Sequence, residues 1–311
     1  MSTPENQLFN ILPNVKRALD LKLPVVALES TVITHGLPKP QNLSLALDME
    51  QAVRSEGGTP ATIALLAGKI RIGLTESDLD KLAAAPDPVK VSRRDFAAAL
   101  SKGSSGGTTV AGTMFAAHKV GIQVFATGGI GGVHRDSRWD VSTDLQALAD
   151  TPMIVVCAGA KSILDLPATL EVLETLGVPV VGYQTDDFPA FYSRESGLKV
   201  SARCDSPGEI AGFAKTHWDL GQQSAVLVAQ PVPANAAIPK SEIDPHIEAA
   251  LAKAKKDGIK GPAVTPFLLS QVKELSGGRA MQANLALLLN NAQLAAQIAK
   301  ALAAGQRERI I

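Results

Sequence analysis

The chain lacks the features that mark a nucleic-acid-binding, membrane or secreted protein. Lysine plus arginine and aspartate plus glutamate each number 30, so no net charge attracts nucleic acid or an anionic membrane. No apolar run approaches the roughly 20 residues of a membrane span. The two cysteines, Cys157 and Cys204, have no metal-site spacing, and residues 1–7 lack a signal-peptide pattern. We therefore expect a soluble protein of a reducing compartment, most simply the cytoplasm.

What the chain does have is a regular alternation of short apolar runs with helical patterns. This alternation predicts an α/β protein in which helices cover both faces of a mostly parallel or mixed sheet. Strands are predicted at 23–28, 61–66, 69–73, 89–91, 122–126, from 153 onward, 178–183 and 225–229. Helices are predicted at 42–56, 75–85, 110–120, 140–150, 165–176, 206–220, 242–257, 265–275 and 281–303. The segment 101–109, rich in Gly, Ser and Thr, is predicted to be a loop. No compositional change marks a boundary, so we expect one domain over 1–311 with a helical carboxyl-terminal part.

One lysine follows the most strand-like run of the chain. Residues 153–157 are apolar and rich in β-branched side chains, and Gly159 then permits a sharp turn and a close approach. Lys161 is thus expected just beyond a strand's carboxyl end, where open α/β sheets bind ligands. Apolar surroundings favour the neutral amine, which is a nucleophile for carbonyl carbon. The alternative is a solvated lysine at the start of a helix.

Polar clusters follow several other predicted strands. Glu29 comes directly after the first strand, where burial would suit a carboxylic acid that donates a proton. Lys90 with Arg93 can neutralise a phosphate, although Arg93 can equally pair with Asp95. The glycine-rich loop 128–135 can approach a ligand closely but matches no nucleotide-binding motif. If the strands are mostly parallel, these clusters share one rim of the sheet.

A divalent metal is a further possibility. Asp140 and Asp144 are four residues apart in a predicted helix and would face the same side. Carboxylate oxygens suit Mg²⁺ or Mn²⁺, which keep several waters. The alternative is that both acids interact with the helix dipole. His35 and His134 lie in predicted loops and can move protons or hold metal-bound water.

A family resemblance runs in order over nearly the whole chain. The residues that carry it are 25–31, 35–36, 40–42, 60–64, 91–95, 108–111, 125–135, 155–166, 182–185, 265–269 and 290–292. Taken together, these stretches resemble the pseudouridine-5'-phosphate glycosidase family. It implies cleavage of the carbon–carbon glycosidic bond of pseudouridine 5'-phosphate to uracil and ribose 5-phosphate. It also implies a three-layer α/β/α fold, a divalent metal that is usually manganese, and a homotrimer.

The resemblance also assigns roles to single positions. It implies Lys161 as the nucleophile, Glu29 as the proton donor and Asp140 as the metal ligand. Substrate-binding positions follow in the same way: Lys90, Thr109, Val110, Ser142, Thr143 and Asp144, with His134 and Asn284 as further contacts. The chain departs from the family in residues 136–139, where the loop is shorter, and at Gln230, where an asparagine is expected.

The chemistry fits this resemblance. A lysine amine can attack the anomeric carbon, open the ribose and form an iminium ion, an electron sink that eases cleavage of the bond to uracil. A nearby carboxylic acid can protonate the departing carbon. Two other functions stay open from the residues alone. One is a Schiff-base aldolase acting on a phosphorylated sugar, and the other is a non-catalytic nucleotide-binding or scaffold protein.

Overall fold

The computed structural model describes residues 8–135 and 139–307. The polar amino terminus, residues 1–7, and residues 136–138 of the shortened loop lie outside the described residues. None of the helices in the described part is long and apolar enough to cross a membrane.

The described strands join into one mixed sheet. They are β1 Phe9–Ile11, β2 Val25–Leu28, β3 Thr59–Leu66, β4 Lys69–Ile72, β5 Val89–Val91, β6 Gly106–Thr108, β7 Val124–Ala126, β8 Ile154–Cys157, β9 Val180–Tyr183, β10 Ala202–Cys204 and β11 Val226–Ala229. Their order is β1-β4-β3-β2-β7-β8-β11-β9-β10, with β6 paired to β3 and β5 to β6. From β3 to β10 the neighbours are parallel, whereas β4 and β6 run antiparallel to β3. The carboxyl ends of β2, β7 and β8 therefore meet at one rim.

Helices form the two outer layers. They are α1 Pro13–Asp20, α2 Gln41–Ser55, α3 Glu76–Ala84, α4 Phe96–Ser101, α5 Val110–Lys119, α6 Thr143–Asp150, α7 Leu166–Thr175, α8 Pro207–Asp219, α9 Lys240–Lys256, α10 Val264–Leu275 and α11 Arg279–Arg307. The long helix α11 packs against β2, β7 and β8 and touches α2 and α8. Helix α5 packs against β2 and β3 and contacts α6. The predicted three-layer α/β fold is confirmed.

The core lies between the sheet and these helices. Every residue of β2, β8 and β11 is buried, as expected for strands covered on both faces. Helix α11 contributes a row of buried small residues, Ala292, Ala295, Ala296 and Ala299, toward this core. Small side chains let a helix approach closely, which brings its amino-terminal half over the rim of the sheet.

Two predictions about local structure were wrong. The segment 101–109 is not all loop, because Gly106 and Gly107 belong to β6. A Cβ on Gly106 would lie 2.0 Å from the Val89 carbonyl oxygen, so glycine serves strand packing there. The helix predicted from residue 140 begins at Thr143, because Val141 bridges to Val133 and the extended Ser142 caps the helix through its hydroxyl.

Candidate active site

Lys161 stands just beyond the carboxyl end of β8. Gly159 makes the turn with a φ of +83°, and a Cβ there would lie 2.3 Å from the Pro189 carbonyl oxygen. The Lys161 amide donates to the Ile130 carbonyl oxygen at 3.1 Å, which ties the lysine to the loop after β7. The half-buried side chain faces a cavity. The predicted position of Lys161 at the strand end is confirmed.

Glu29 follows β2 in the same rim. The register pairs Leu28 with Ala126, so Glu29 and Thr127 emerge side by side. The Thr127 hydroxyl donates a hydrogen bond to Oε1 of Glu29. Burial raises the pKa of Glu29 above its ordinary value, while the Lys161 charge and the Thr127 hydrogen bond oppose that rise. The carboxyl therefore holds its proton to higher pH than an exposed glutamate does.

One cavity of about 360 Å³ joins these groups. That size suits a small ligand such as a nucleotide. Its polar lining includes Glu29, His35, Lys90, Lys161 and Asn284. The nucleophile and the proton donor implied by the resemblance therefore face the same space, together with two implied substrate contacts.

The cavity is positively charged on one side. Lys90, in β5, stays accessible through the cavity, yet the surrounding protein and the Lys161 charge lower its pKa. Burial and the Lys90 charge also lower the pKa of His35, whose Nδ1 lies 2.7 Å from the Thr34 hydroxyl. Arg93 lies outside this cluster, because its guanidinium pairs with Asp150 at 3.0 Å. Lys90 is thus the cation of its segment that faces the cavity.

The segment Ser142–Asp144 borders the site through Asp144. The buried Asp144 carboxylate accepts the Ala111 amide at 3.0 Å and the Gly131 amide at 2.8 Å. It thereby joins the start of α5 to the glycine-rich loop, whose Gly131 amide is not available to a phosphate. The Asp144 charge adds to the rise in the pKa of Glu29 and opposes the fall in the pKa of Lys90. Thr143 turns away, with its hydroxyl 3.0 Å from that of Ser92.

Three other implied positions lie near the rim without lining the cavity. The Thr109 hydroxyl accepts the Gly112 amide and caps α5, and Val110 is buried at the first position of that helix. The amide of His134 donates to the Asp140 carbonyl oxygen at 3.0 Å. The structure thus brings Lys161, Glu29, Lys90 and Asn284 together, and it leaves Thr109, Val110 and His134 at the border.

The prediction that Asp140 and Asp144 face the same side of one helix was wrong. Asp140 is exposed and precedes α6, whereas Asp144 is buried within it and bound to two amides. Among the described residues, no group of three or more histidine, cysteine, aspartate or glutamate side chains is placed to hold a metal. A single exposed carboxylate at Asp140 fits only an ion that keeps most of its water.

Sequence reasoning missed several residues that line the cavity. Phe191 and Tyr192 are buried, with ring centroids 4.8 Å apart in an edge-on arrangement, and Phe191 has a φ of +64°. Such a backbone conformation is costly for an aromatic residue and is found at functional sites. Leu269 and Lys273 of α10 and Met281 of α11 also line the cavity. Leu269 lies in the stretch 265–269 that carries the family resemblance, whereas the other residues form no local motif, since loops and helices far apart in the chain bring them together.

The fold and the cavity define a class of protein. It is a three-layer α/β protein in which a lysine and a buried carboxyl, from β8 and β2, face one cavity lined by aromatic and cationic side chains. The family model described as indigoidine synthase A like protein matches residues 14–301, and the chain belongs to this family.

Individual relatives show which proteins of this family the chain is similar to. A pseudouridine-5'-phosphate glycosidase of Paracoccus denitrificans is 54% identical over 300 residues, covering 95% of this chain and 99% of the relative. One of Caldanaerobacter subterraneus is 50% identical over 296 residues, covering 94% and 96%. The resemblance found in the sequence is therefore confirmed.

Solved structures agree with this assignment. The prealnumycin C-glycosynthase AlnA, in complex with ribulose 5-phosphate, superposes with a TM-score of 0.90 at 42% identity, covering 97% of this chain and 99% of that chain. An indigoidine synthase A-like protein of Thermotoga maritima gives a TM-score of 0.87 at 36% identity, covering 95% and 97%.

Proposed function

We propose that this chain is a pseudouridine-5'-phosphate glycosidase. It reversibly converts pseudouridine 5'-phosphate and water to uracil and ribose 5-phosphate. The observation that carries the proposal is the shared cavity of Lys161 and Glu29, with Lys90 beside them. The names of relatives at 50–54% identity over almost the whole chain support it. A carbon–carbon glycosidic bond needs both an electron sink and a carbon-directed acid, and this pair of groups supplies both.

The proposed reaction begins at the Lys161 nitrogen. Its lone pair bonds to C1' of the ribose, the bond from C1' to the ring oxygen breaks, and that oxygen takes the proton that the nitrogen gives up to regain its lone pair. The nitrogen lone pair then forms an iminium bond to C1', and the pair of the C1'–C5 bond stays with C5 of uracil. Glu29 gives C5 its proton. Water then adds to the iminium carbon and returns a proton to the Glu29 carboxylate, and the release of ribose 5-phosphate restores the amine.

The remaining residues are proposed to hold the substrate. Lys90 supplies positive charge for the phosphate, and Asn284 offers an amide to the sugar or the base from α11. The segment 142–144, with Thr109, Val110 and His134, borders the sugar-phosphate end. Holding the opened chain in place lowers the entropic cost of cleavage.

Four further features belong to the proposal. Mn²⁺, or another divalent ion such as Mg²⁺, would be held by the exposed Asp140 carboxylate and would supply positive charge near an anionic substrate. The resemblance supports a homotrimer and one catalytic domain over residues 1–311. The buried free thiols of Cys157 and Cys204 fit a reducing compartment such as the cytoplasm.

The test follows uracil release from pseudouridine 5'-phosphate in the presence of Mn²⁺. We expect turnover by the wild type, its loss on addition of a chelator, and a fall of more than about a thousandfold in Lys161→Ala. Lys119→Ala, at an exposed position outside the cavity, is the matched control and should retain full turnover.

Other results would favour the other functions. A Schiff-base aldolase would form a borohydride-trapped sugar adduct on Lys161 but release no uracil and ignore the chelator. A scaffold protein would form no adduct. Full turnover by Lys161→Ala would refute the assignment of the nucleophile.

A further inference from the structure

A buried chain of hydrogen bonds leads from the long helix α11 to Glu29. The Asn291 amide nitrogen donates to the Thr127 carbonyl oxygen at 2.8 Å, and the Thr127 hydroxyl donates to Oε1 of Glu29. Asn291 and Thr127 are both fully buried. The Thr127 amide donates to the Val156 carbonyl oxygen at 3.0 Å, which fixes this residue to β8 as well. The hydroxyl that holds Glu29 is therefore anchored from two sides.

Asn291 is costly at its position. Its Oδ1 is buried without a hydrogen-bond partner among the described residues. An unpaired buried acceptor destabilises a fold, and an apolar side chain of similar size would avoid that cost. What the asparagine supplies is its amide donor, which reaches the Thr127 carbonyl and, at 3.5 Å, that of Gly128. The donor thus ties α11 to the turn that carries Thr127.

We propose that Thr127 is a positioning residue for Glu29 and that Asn291 in turn positions Thr127. This inference deepens the proposed function and rests on it. With Oε1 engaged by the hydroxyl, the proton for the departing base is carried on Oε2 of Glu29. The hydrogen bond fixes which oxygen faces the cavity, and it restricts rotation of a side chain that otherwise has three flexible torsions.

The hydrogen bond also acts on the acidity of Glu29. A donor to a carboxylate favours its charged form, so the Thr127 hydroxyl opposes the rise in pKa that burial produces. The charged groups facing Glu29 are Lys161 and Lys90, which act in the same direction as Thr127, and Asp144, which acts against it. Removing the hydroxyl should therefore raise the pKa of Glu29 further.

The chain offers a matched control. The Thr62 hydroxyl donates to Oε1 of Glu50 at 2.6 Å, with both residues buried. Burial raises the pKa of Glu50, and the Thr62 hydrogen bond again opposes the rise. Neither residue lines the cavity described above. Thr62→Val therefore removes the same kind of bond without touching the site.

The experiment compares Thr127→Val, Thr127→Ser, Asn291→Leu and Thr62→Val by thermal unfolding and by kcat and KM across pH. Thr127→Val should lower kcat roughly tenfold to hundredfold, a part of what a general acid contributes, with KM changed less than about threefold. The alkaline limb of its pH profile should move to higher pH. Thr127→Ser should retain kcat within about threefold. Asn291→Leu should lower kcat by less than Thr127→Val does.

Thr62→Val separates catalysis from stability. It should lower the melting temperature about as much as Thr127→Val while leaving kcat and the pH profile unchanged. Two results would overturn the positioning role of Thr127. One is an equal loss of kcat in Thr62→Val and Thr127→Val. The other is a pH profile of Thr127→Val in which kcat is lower at every pH but the alkaline limb has not moved.

A readout independent of turnover keeps this inference distinct from the proposed function. Carbon NMR of labelled glutamate carboxyls, with Glu29→Gln for assignment, measures the titration of Glu29 directly. We expect a higher pKa of Glu29 in Thr127→Val than in the wild type. An unchanged titration would refute the role of Thr127 even in an active enzyme. If the wild type released no uracil but the pKa of Glu29 were still higher in Thr127→Val, the proposed function would be refuted and the positioning role of Thr127 would stand.

Discussion

The Asp144 carboxylate offers a stringent test of how the site is built. It is buried and accepts two backbone amides, at 2.8 Å from the loop after β7 and at 3.0 Å from the start of α5. In Asp144→Asn, the amide oxygen can accept one of these N–H groups, while the NH₂ group faces the other. One charge-assisted hydrogen bond is lost and one buried N–H loses its acceptor.

The cost follows from these contacts. A hydrogen bond to a charged group contributes about 1.5–3 kcal/mol, and an unpaired buried donor costs about 1–3 kcal/mol. We expect Asp144→Asn to lower the free energy of unfolding by about 2–4 kcal/mol. An entropy of unfolding of about 2.1 cal/mol/K per residue gives about 0.65 kcal/mol/K for this chain, so the melting temperature should fall by about 3–6 °C.

Differential scanning calorimetry of Asp144→Asn and Asp150→Asn measures this. Asp150 is exposed and pairs with Arg93 on the surface, so its variant should lie within about 0.5 kcal/mol of the wild type. The resemblance implies Asp144 as a substrate contact, and a contact alone leaves the free protein unaffected. An unchanged melting temperature in Asp144→Asn, with KM raised, would refute its role in joining the start of α5 to the glycine-rich loop.

Three further predictions concern the same rim. Gly159→Ala should lower the free energy of unfolding in urea by more than about 2 kcal/mol, because the φ of Gly159 is +83° and the new Cβ would meet the Pro189 carbonyl oxygen. Gly177→Ala is the control: its φ is also positive but the surrounding space is open, so it should cost about 1 kcal/mol. An equal cost would contradict the close approach at Gly159. Lys273→Met should raise KM for the anionic substrate several-fold with little change in kcat, since this cation lines the same cavity as Lys161. An unchanged KM would exclude Lys273 from substrate binding. The stability of Glu29→Gln relative to the wild type should increase as pH rises above about 4.3. The pKa of Glu29 is raised in the folded state, so the wild-type carboxyl binds more protons when folded than when unfolded and loses stability as it ionises. A constant difference between pH 4 and pH 8 would contradict that shift.

Most of the order of elements could be predicted from the sequence because it depends on local pattern, although β1, α1, α4 and β10 were not predicted. Buried strands such as β8 are continuous apolar runs, and Gly159 marks the turn after it. The glycine pair at 106–107 misled the prediction, since glycine is as typical of loops as of strands in close contact. The start of α6 was misplaced because the bridge between Val133 and Val141 is not local.

The candidate site could be predicted only in part. Glu29 and Lys161 stand at strand ends, so parallel order alone predicts that they are close. The hydrogen bond from Thr127 joins residues 98 positions apart and depends on the register of β2 and β7. The place of Lys273 in the cavity lining depends on how α10 packs over the rim, and that of Phe191 depends on its backbone hydrogen bond to Ala158, and no periodicity encodes either.

The central claim is that the Lys161 amine captures the sugar at C1'. The most direct measurement incubates the protein with ribose 5-phosphate and sodium borohydride, digests it and locates the added mass by peptide sequencing in a mass spectrometer. The account predicts a reduced sugar-phosphate adduct on Lys161 and none in Lys161→Arg. An adduct confined to Lys90, Lys273 or surface lysines, or no adduct under turnover conditions, would contradict it.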